Sequence, residues 1–306
     1  PAEALESVAA CPLCGETRRK TLHQNLVDAV FRVAPGRWNL YSCESCRCAY
    51  LDPRPDVASI GRAYDIYYTH AAPGTRGGQG GLRKLKLAVD NGYLNWRYGT
   101  RRRPASRVGI WLMNLSSLRR QKRDAQFRWL PKPATGQRLL DIGCGNGDFV
   151  ALAQEAGWVA SGIDADPMAV AAAKQRGLDV REGDIGLFAD QANCFDAITL
   201  SHVLEHLHDP AAMIRTIHRL LKPGGIVFVD TPNIESRGAH RWGSNWRGLE
   251  VPRHLVIFSR AALLDTLAAS GFEYIQTRRR TAVRKSMYLA SLRMQAGQSP
   301  YGRQPA

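Results

Sequence analysis

The sequence contains no long apolar run. Its most apolar stretch, Gly109 to Leu115, lies between arginines and is far shorter than the roughly 20 residues that cross a bilayer. The N-terminus also lacks the basic segment and apolar stretch of a secretory signal. The seven cysteines are odd in number, and four of them form two Cys-x-x-Cys pairs, which favours metal binding over disulfides. These absences predict a cytoplasmic globular protein with no membrane-spanning helix.

Acidic residues are scarce between positions 82 and 130. This stretch has thirteen lysines and arginines against only Asp90 and Asp124, and it carries +11 of the chain's formal charge of +15. Apolar residues recur there at helical spacing and predict two amphipathic helices. Arginine beside tryptophan is typical of helices that bind an anionic membrane surface. It is also typical of helices that bind nucleic acid, and a solvated face over the rest of the protein is the third interpretation.

After Thr135 the pattern changes to short apolar strands that alternate with helices. Such alternation is typical of a parallel sheet covered on both faces. Strands are predicted at 139–142, 159–163, 180–181, 195–200 and 226–230, with segments near 273–277 and 286–292 completing the sheet. The predicted fold class is α/β, with a doubly wound, mostly parallel sheet.

A glycine-rich turn follows the first predicted strand. It reads Asp141-Ile142-Gly143-Cys144-Gly145-Asn146-Gly147. Glycines permit the unusual backbone angles of such a turn and let a ligand approach the backbone. The Gly-x-Gly-x-Gly spacing differs from the Gly-x-Gly-x-x-Gly of nicotinamide dinucleotide folds. Asp141 disfavours a pyrophosphate and suits a sulfonium ligand with an ammonium group.

Two more acids follow the next two strands. Asp164 lies about 20 residues past the glycines, where a carboxylate accepts hydrogen bonds from ribose hydroxyls. Asp184 follows the third strand, where it can accept from an adenine amino group. Each acid alone is equally typical of a loop or a helix cap. Their order at successive strand ends predicts a nucleoside site.

The motifs resemble the class I methyltransferase family, which uses S-adenosylmethionine (SAM) and has a Rossmann-like fold. The resemblance covers residues 137–230 and includes Phe195-Asp196-Ala197-Ile198 and Leu220-Leu221-Lys222-Pro223-Gly224-Gly225. It implies SAM as cofactor, with ribose at Asp164 and adenine at Asp184. The cofactor-binding residues that it implies are Asp141, Gly143, Cys144, Gly145, Gly147, Asp164, Ala165, Asp184, Ile185, Ser201 and His202.

A histidine-rich segment at 201–210 follows the fourth strand. Methyl transfer needs alignment of the acceptor and exclusion of water, with a base only where the acceptor must lose a proton. His202 and His206, with Glu205 between them, would face the same way on a helix and are candidate catalytic residues. Ubiquinone-type O-methyltransferases carry Glu-x-x-Glu-His here, so a divalent metal is an alternative, weakened by histidine in the first position. A helix cap that packs under the cofactor is the third interpretation.

A later segment, residues 246–259, resembles one that lies over the active site in methyltransferases of small molecules and sugars. It contains Pro252-Arg253-His254-Leu255. The resemblance makes His254 a further candidate base. Trp242 and Trp246 either wall the acceptor pocket or belong to the core.

The two cysteine pairs are Cys11-Pro-Leu-Cys14 and Cys43-Glu-Ser-Cys46. Cys11, Cys14, Cys43 and Cys46 together supply the four thiolates of a closed, structural zinc site. Cys48 is an alternative ligand, while Cys144 and Cys194 are predicted to be buried small residues. The pattern resembles the zinc-binding N-terminal module of some bacterial methyltransferases of secondary metabolism and saccharide modification. Arg47 departs from it, since that module usually has glycine there.

Composition divides the chain into five predicted segments. They are a zinc-binding module at 1–69, a flexible linker at 70–81, a basic amphipathic helical segment at 82–133, a SAM-dependent methyltransferase domain at 134–295 and a disordered tail at 296–306.

Two classes of function remain open after these predictions. We favour methyl transfer, with O-methylation assisted by a histidine base, to a small-molecule, saccharide or lipid-linked acceptor. A lipid-linked acceptor would bring residues 82–130 to the inner leaflet of the cytoplasmic membrane. The alternative is an RNA methyltransferase that holds nucleic acid with its basic helices and zinc module, although strand four lacks the Asn/Asp-Pro-Pro-Tyr/Phe motif of many base-amine methyltransferases. A SAM-binding protein without catalysis is a third hypothesis.

Overall fold

A computed structural model of the protein describes residues 5–64, 81–278 and 284–301. All of the predicted linker except Gly81, and residues 302–306 of the predicted tail, lie outside the described residues.

The strands are β1 (Leu5–Glu6), β2 (Arg19–Leu26), β3 (Trp38–Cys43), β4 (Ala49–Leu51), β5 (Arg54–Pro55), β6 (Arg138–Ile142), β7 (Val159–Asp164), β8 (Val180–Glu182), β9 (Phe195–Ser201), β10 (Leu221–Asp230) and β11 (Val256–Ile257). The helices are α1 (Gly81–Tyr98), α2 (Val108–Leu115), α3 (Ser117–Gln126), α4 (Asp148–Glu155), α5 (Pro167–Gln175), α6 (Pro210–Leu220), α7 (Arg237–Trp242), α8 (Arg260–Ala269) and α9 (Arg284–Gln295).

The central sheet has five parallel strands in the order β10-β9-β6-β7-β8. The chain builds β6, β7 and β8 outward in one direction and then returns to place β9 on the other side of β6. This reversal opens a crevice between β6 and β9 at the carboxyl ends of the strands, where α/β folds bind ligands. The predicted α/β fold class is confirmed.

Helix caps fix where the chain leaves this edge of the sheet. Asp166 accepts hydrogen bonds from two backbone amides at the start of α5, and Asp209 accepts from the Ala212 amide at the start of α6. In both helices proline occupies the first turn, where its missing N–H costs nothing.

The end of the sheet differs from the prediction. Residues 286–292 lie within α9, and residues 273–277 form no strand, so both strands predicted there were wrong. A short apolar run does not distinguish strand from helix by periodicity alone. Here tertiary packing decides, because Tyr288 packs against Trp242 with ring centroids 5.1 Å apart and Ser291 Oγ accepts from the Arg247 amide at 3.0 Å.

The basic segment forms three helices instead of the two predicted, because the chain leaves helical geometry at Ser116 (φ −117°, ψ 86°). Tyr93, Leu94 and Met113 are buried in one cluster with residues of β6 and α4. The buried Asp90 accepts hydrogen bonds from Arg119 at 2.8 Å and from Arg123 at 2.5 Å. Part of the basic charge therefore stabilises packing of α1 against α3. Within the described ranges, every helix is too short or too polar to span a bilayer.

The N-terminal sheet has the order β11-β4-β3-β2, so it takes one strand from the later part of the chain. Beside it the guanidinium of Arg253 is fully buried and donates to both oxygens of Asp28, at 2.6 and 3.1 Å, and to the Ala63 carbonyl at 2.9 Å. Burial raises the pKa of Asp28, but Arg253 outweighs it and lowers the pKa below its ordinary value. This ion pair links the predicted zinc module to the segment that carries His254.

We expect Asp28→Asn to lower the unfolding free energy by about 3 kcal/mol, because it leaves the Arg253 charge buried without its main partner. Denaturant unfolding monitored by circular dichroism measures the loss. The control is Glu155→Gln, which breaks a partly exposed pair with Arg102 and should cost less than about 1 kcal/mol. Equal losses in the two variants would contradict the role given to the buried pair.

The same pair gives stability a pH dependence. Since the folded pKa of Asp28 is lowered, its contribution is present above about pH 4, the pKa range of a free aspartate, and is lost as the pH falls through the lower folded value. The stability difference between the parent protein and Asp28→Asn should therefore shrink in acid.

Candidate active site

The glycine turn joins β6 to α4. Gly143 and Gly145 have φ angles of +66° and +53°, which favour glycine. A Cβ on Gly143 would lie 2.5 Å from Cγ2 of Val203, whereas a Cβ on Gly145 would meet nothing within 4 Å. The backbone amide of Gly145 donates to the Asp164 carboxylate at 2.7 Å. The turn is thus packed on one side and open over Gly145, beside the acid predicted to bind ribose.

Both predicted nucleoside acids also hold the local backbone. The second oxygen of Asp164 accepts from the Asp166 amide at 2.9 Å. Asp184 is exposed and caps a 3-10 helix, Ile185–Phe188, by accepting from the Gly186 amide at 2.7 Å. Capping orders the carboxylates and leaves lone pairs for a ligand.

The other predicted cofactor residues lie on the same loops. They are Cys144 and Gly147 in the glycine turn, Ala165 after β7, Ile185 after Asp184, and Ser201 and His202 at the end of β9. Cys144 is buried against Gly162, and burial raises the pKa of its thiol. The Cys144 thiol is therefore neutral and packs in the core, and Cys144 takes part in the glycine turn through its backbone.

Asp141 is fully buried and makes a contact that the sequence did not predict. One of its oxygens accepts from the Arg128 guanidinium and from Thr199 Oγ1, the latter at 2.8 Å. Arg128 also lies over the Phe149 ring, 3.6 Å from its centroid. Among the described residues, the other Asp141 oxygen is buried without a hydrogen-bond partner. Arg128 is thus a site residue whose only sequence signal was its place in a basic run.

These features fit SAM. The unpartnered Asp141 oxygen is an acceptor without a donor, which a ligand ammonium would supply. The open space over Gly145 admits the ligand next to Asp164. The crevice between β6 and β9 places both features at the ligand-binding edge of the sheet.

His202 and Glu205 form a hydrogen-bonded pair. His202 Nδ1 lies 3.0 Å from one Glu205 oxygen, and Thr231 Oγ1 donates to the other at 2.8 Å. Burial by itself raises the pKa of Glu205, but the hydrogen bond from His202 and the neighbouring histidines outweigh it and bring the pKa to about 2. Since ionised Glu205 only accepts, Nδ1 of His202 donates to it, while Nε2 of His202 lies 3.9 Å from an Asp230 oxygen. The His202 side chain is 50% exposed.

The other two candidate histidines are more enclosed. His206 Nδ1 lies 2.8 Å from the Tyr64 hydroxyl and 3.0 Å from the Arg253 carbonyl. His254 is buried, and its Nδ1 donates to the Gly248 carbonyl at 2.8 Å. Burial lowers the pKa of His254 to about 4, so its imidazole is neutral at pH 7. Of the three histidines, His202 has the most accessible ring.

The segment after β9 is a short 3-10 helix, Leu204–His206, and not an α-helix. Side chains of Glu205, His206 and His254 nevertheless place one ligand atom each within 4.8 Å of one another. This set has the chemistry of a divalent metal site. It differs from the motif considered in the sequence, because His254 from a distant segment takes the place of His202.

The four predicted zinc ligands converge. Cys11, Cys14, Cys43 and Cys46 have all their sulfurs within 4.8 Å of one another. The Cys11–Cys46 and Cys14–Cys43 sulfur distances are 3.6 and 3.5 Å, close to the roughly 3.8 Å edge of a tetrahedron with Zn–S bonds of about 2.3 Å. The Cys48 sulfur lies 3.3 Å from those of Cys11 and Cys46. The donor set fits zinc, with Cys48 beside it.

Fold and site together define an enzyme that transfers a methyl group from SAM. Residues 116–277 match the model of a family described as a methyltransferase domain, and the chain belongs to this family. The protein is accordingly a SAM-dependent methyltransferase.

Curated relatives agree with this assignment. A ubiquinone biosynthesis O-methyltransferase of Paracidovorax citrulli is 30% identical over 177 residues, which are 49% of this chain and 73% of the relative. One from Xanthomonas oryzae pv. oryzae is 41% identical over 105 residues, which are 32% of this chain and 44% of the relative. A solved SAM-dependent methyltransferase from Mesorhizobium loti aligns over 51% of this chain and 82% of its own, with 24% identity and a TM-score of 0.41.

Asp164→Asn tests the cofactor site. The substitution removes the charge that strengthens hydrogen bonds from ribose hydroxyls, so we expect SAM to bind about 10- to 100-fold more weakly. Isothermal titration calorimetry with SAM measures the change. Asp190→Asn removes an exposed carboxylate just beyond the nearby 3-10 helix and should leave the dissociation constant unchanged. Unaltered SAM affinity in a folded Asp164→Asn protein would refute the ribose assignment.

Proposed function

We propose that the protein methylates a hydroxyl oxygen of a small molecule, with His202 as general base and Glu205 as the residue that positions it. The observation that carries this proposal is the hydrogen bond of 3.0 Å between a half-exposed imidazole and a buried, ionised carboxylate. A carboxylate on Nδ1 orients the imidazole, and Nε2 lies on the other side of the ring, 3.9 Å from an Asp230 oxygen. This is the arrangement that a general base for a hydroxyl requires.

The mechanism uses few parts of the chain. SAM, when bound, supplies an electrophilic methyl group. Nε2 of His202 accepts the hydroxyl proton as the acceptor oxygen forms its bond to the methyl carbon. Glu205 stabilises the imidazolium that results, and Thr231 holds Glu205 by its second oxygen. The products are the methyl ether, S-adenosylhomocysteine and the proton, which His202 then releases.

Curated relatives support oxygen as the acceptor atom, because the two from Paracidovorax citrulli and Xanthomonas oryzae are O-methyltransferases by name. The matches to these relatives cover at most half of this chain, so the relatives do not identify its acceptor molecule. A saccharide or lipid-linked acceptor stays a prediction. So does a metal at Glu205, His206 and His254, for which the clustered donor atoms are the supporting observation.

Membrane binding through residues 82–130 also stays a prediction. Trp111, Leu115 and Leu118 are exposed on or next to α2, near many of the basic residues. Such a surface suits an anionic leaflet. The RNA alternative rests on the same charge, while the named relatives favour a small molecule.

His202→Gln tests the proposed activity. We expect transfer of radiolabel from SAM into the small-molecule or lipid fraction of a cell extract, and a loss of about 10²- to 10⁴-fold in rate for the variant, because the base is removed. SAM affinity should change little. His240→Gln, at an exposed position of α7, is the matched control and should retain full activity.

Two results would reject this mechanism. Label that enters RNA and is released by ribonuclease would assign a different acceptor. An unchanged rate in His202→Gln, with loss in His206→Gln and sensitivity to chelators, would favour the metal site.

We also propose that the four cysteines hold one structural zinc ion. Cys11 and Cys14 lie before β2, and Cys43 and Cys46 lie at the turn between β3 and β4, so the ion would clamp the end of the N-terminal sheet where β2 begins and β3 ends. With four protein ligands the ion keeps no position for substrate. The Cys46 carbonyl accepts from Ser259 Oγ at 2.6 Å, which connects the cluster to the start of α8.

Cys14→Ser should lose zinc and Cys48→Ser should keep it, because only Cys14 belongs to the set of four mutually close sulfurs. Inductively coupled plasma mass spectrometry on purified protein measures zinc per chain. Retention of zinc by Cys14→Ser and its loss from Cys48→Ser would instead make Cys48 the fourth ligand.

A further inference from the structure

A cavity of about 380 Å³ lies among the basic helices. Its lining combines aromatic rings and guanidinium groups from α1, α3 and two segments outside them. The residues that matter here are Tyr93, Trp96, Arg97, Arg120, Trp129 and Arg278. The volume falls within the range of small-molecule sites, roughly 300–1,000 Å³.

The cavity adjoins the cofactor site. Trp129 forms part of its wall and stacks on Phe228 of β10 with ring centroids 6.2 Å apart. The preceding residue, Arg128, contacts Asp141 in the cofactor crevice. The Arg128 guanidinium also lies 5.8 Å from the centroid of the Phe228 ring, so Phe228 neighbours both the cavity wall and the side chain that contacts Asp141.

The guanidinium groups of the cavity differ from others in the basic segment. Arg119 and Arg123 pair with Asp90, and Arg102 pairs with Glu155. By contrast, in the described part of the chain, Arg97, Arg120 and Arg278 form no salt bridge with a carboxylate within 4.0 Å. The helix-packing arginines therefore have their counter-charges, while those at the cavity do not.

One acid borders the cavity, but it is already engaged. A single oxygen of Asp124 accepts from the hydroxyls of Tyr93 and Tyr98, each at 2.7 Å. Arg120 donates to the neutral Asn114 side chain at 3.0 Å. Three guanidinium groups against one carboxylate leave the lining positive.

We propose that this cavity binds the methyl acceptor and that the acceptor carries a phosphate or carboxylate group next to an apolar or aromatic portion. Guanidinium groups bind such oxyanions with charge-assisted, often paired hydrogen bonds. Trp96 and Trp129 offer the surface on which the apolar portion packs. The inference rests on the proposed methyl transfer and names the class of its substrate.

The test is calorimetric titration of the protein of 306 residues with phenyl phosphate, benzoate and phenol. Phenyl phosphate and benzoate separate the two oxyanions, and phenol lacks a charge at neutral pH. We expect at least one of the anions to bind and phenol to bind at least about tenfold more weakly, because each charge-assisted hydrogen bond contributes a factor of this order.

The variant is Arg97→Gln with Arg120→Gln, which should weaken binding of the anion about tenfold or more. Arg97→Lys with Arg120→Lys keeps the charge and should restore part of the affinity. The matched control is Arg101→Gln with Arg103→Gln, which removes the same charge at exposed positions of the same segment outside the cavity lining.

Equal weakening by the two Gln pairs would overturn the inference, because it would show general attraction to a basic surface. Absence of anion binding would do the same. Tighter binding of single-stranded RNA than of phenyl phosphate, lost in the cavity variant, would assign the surface to nucleic acid. Titration of SAM into each protein keeps the two proposals apart. If SAM binds but neither anion does, the proposed acceptor site in the cavity is refuted, while the proposed methyl transfer is not.

Discussion

The buried, ionised carboxylate of Glu205 is the constraint around which the candidate site is built. A charge in a buried position needs donors, and His202 and Thr231 supply them. The backbone of Glu205 matters as well, since its carbonyl accepts from the Leu255 amide at 2.8 Å. The Leu255 carbonyl in turn accepts from the Leu51 amide at 3.1 Å in β4. Leu255 thus connects Glu205, which follows β9 of the parallel sheet, with β4 of the N-terminal sheet.

This connection makes the N-terminal sheet part of the site's architecture. β11 completes that sheet, and the turn just before it carries His254 and Arg253. Arg253 is held by Asp28, and Tyr64 contacts His206. Residues from the first 64 positions therefore fix the loops that lie over the carboxyl ends of β6 and β9. A zinc ion in the cysteine cluster would stabilise this sheet and, through it, the positions of the loops at the active site.

The basic segment shows how one composition serves two purposes. Some of its arginines neutralise buried acids, as Arg119 and Arg123 do for Asp90 and Arg128 does for Asp141. Others border a cavity or face solvent. Net charge alone does not separate these groups, because the difference lies in the distance to a carboxylate on another element.

Features that short segments encode were predictable from the sequence. The strand and helix alternation, the Gly143 to Gly147 turn with Asp164 after β7, and the paired cysteines were all predicted, because each motif is local and its chemistry follows from spacing. Which distant residues meet became known from the folded structure. It placed Arg128 on Asp141, set His202 apart from the enclosed His254, made residues 286–292 a helix and joined β11 to β4. These outcomes depend on packing and burial between remote segments, and periodicity along the chain carries no record of either.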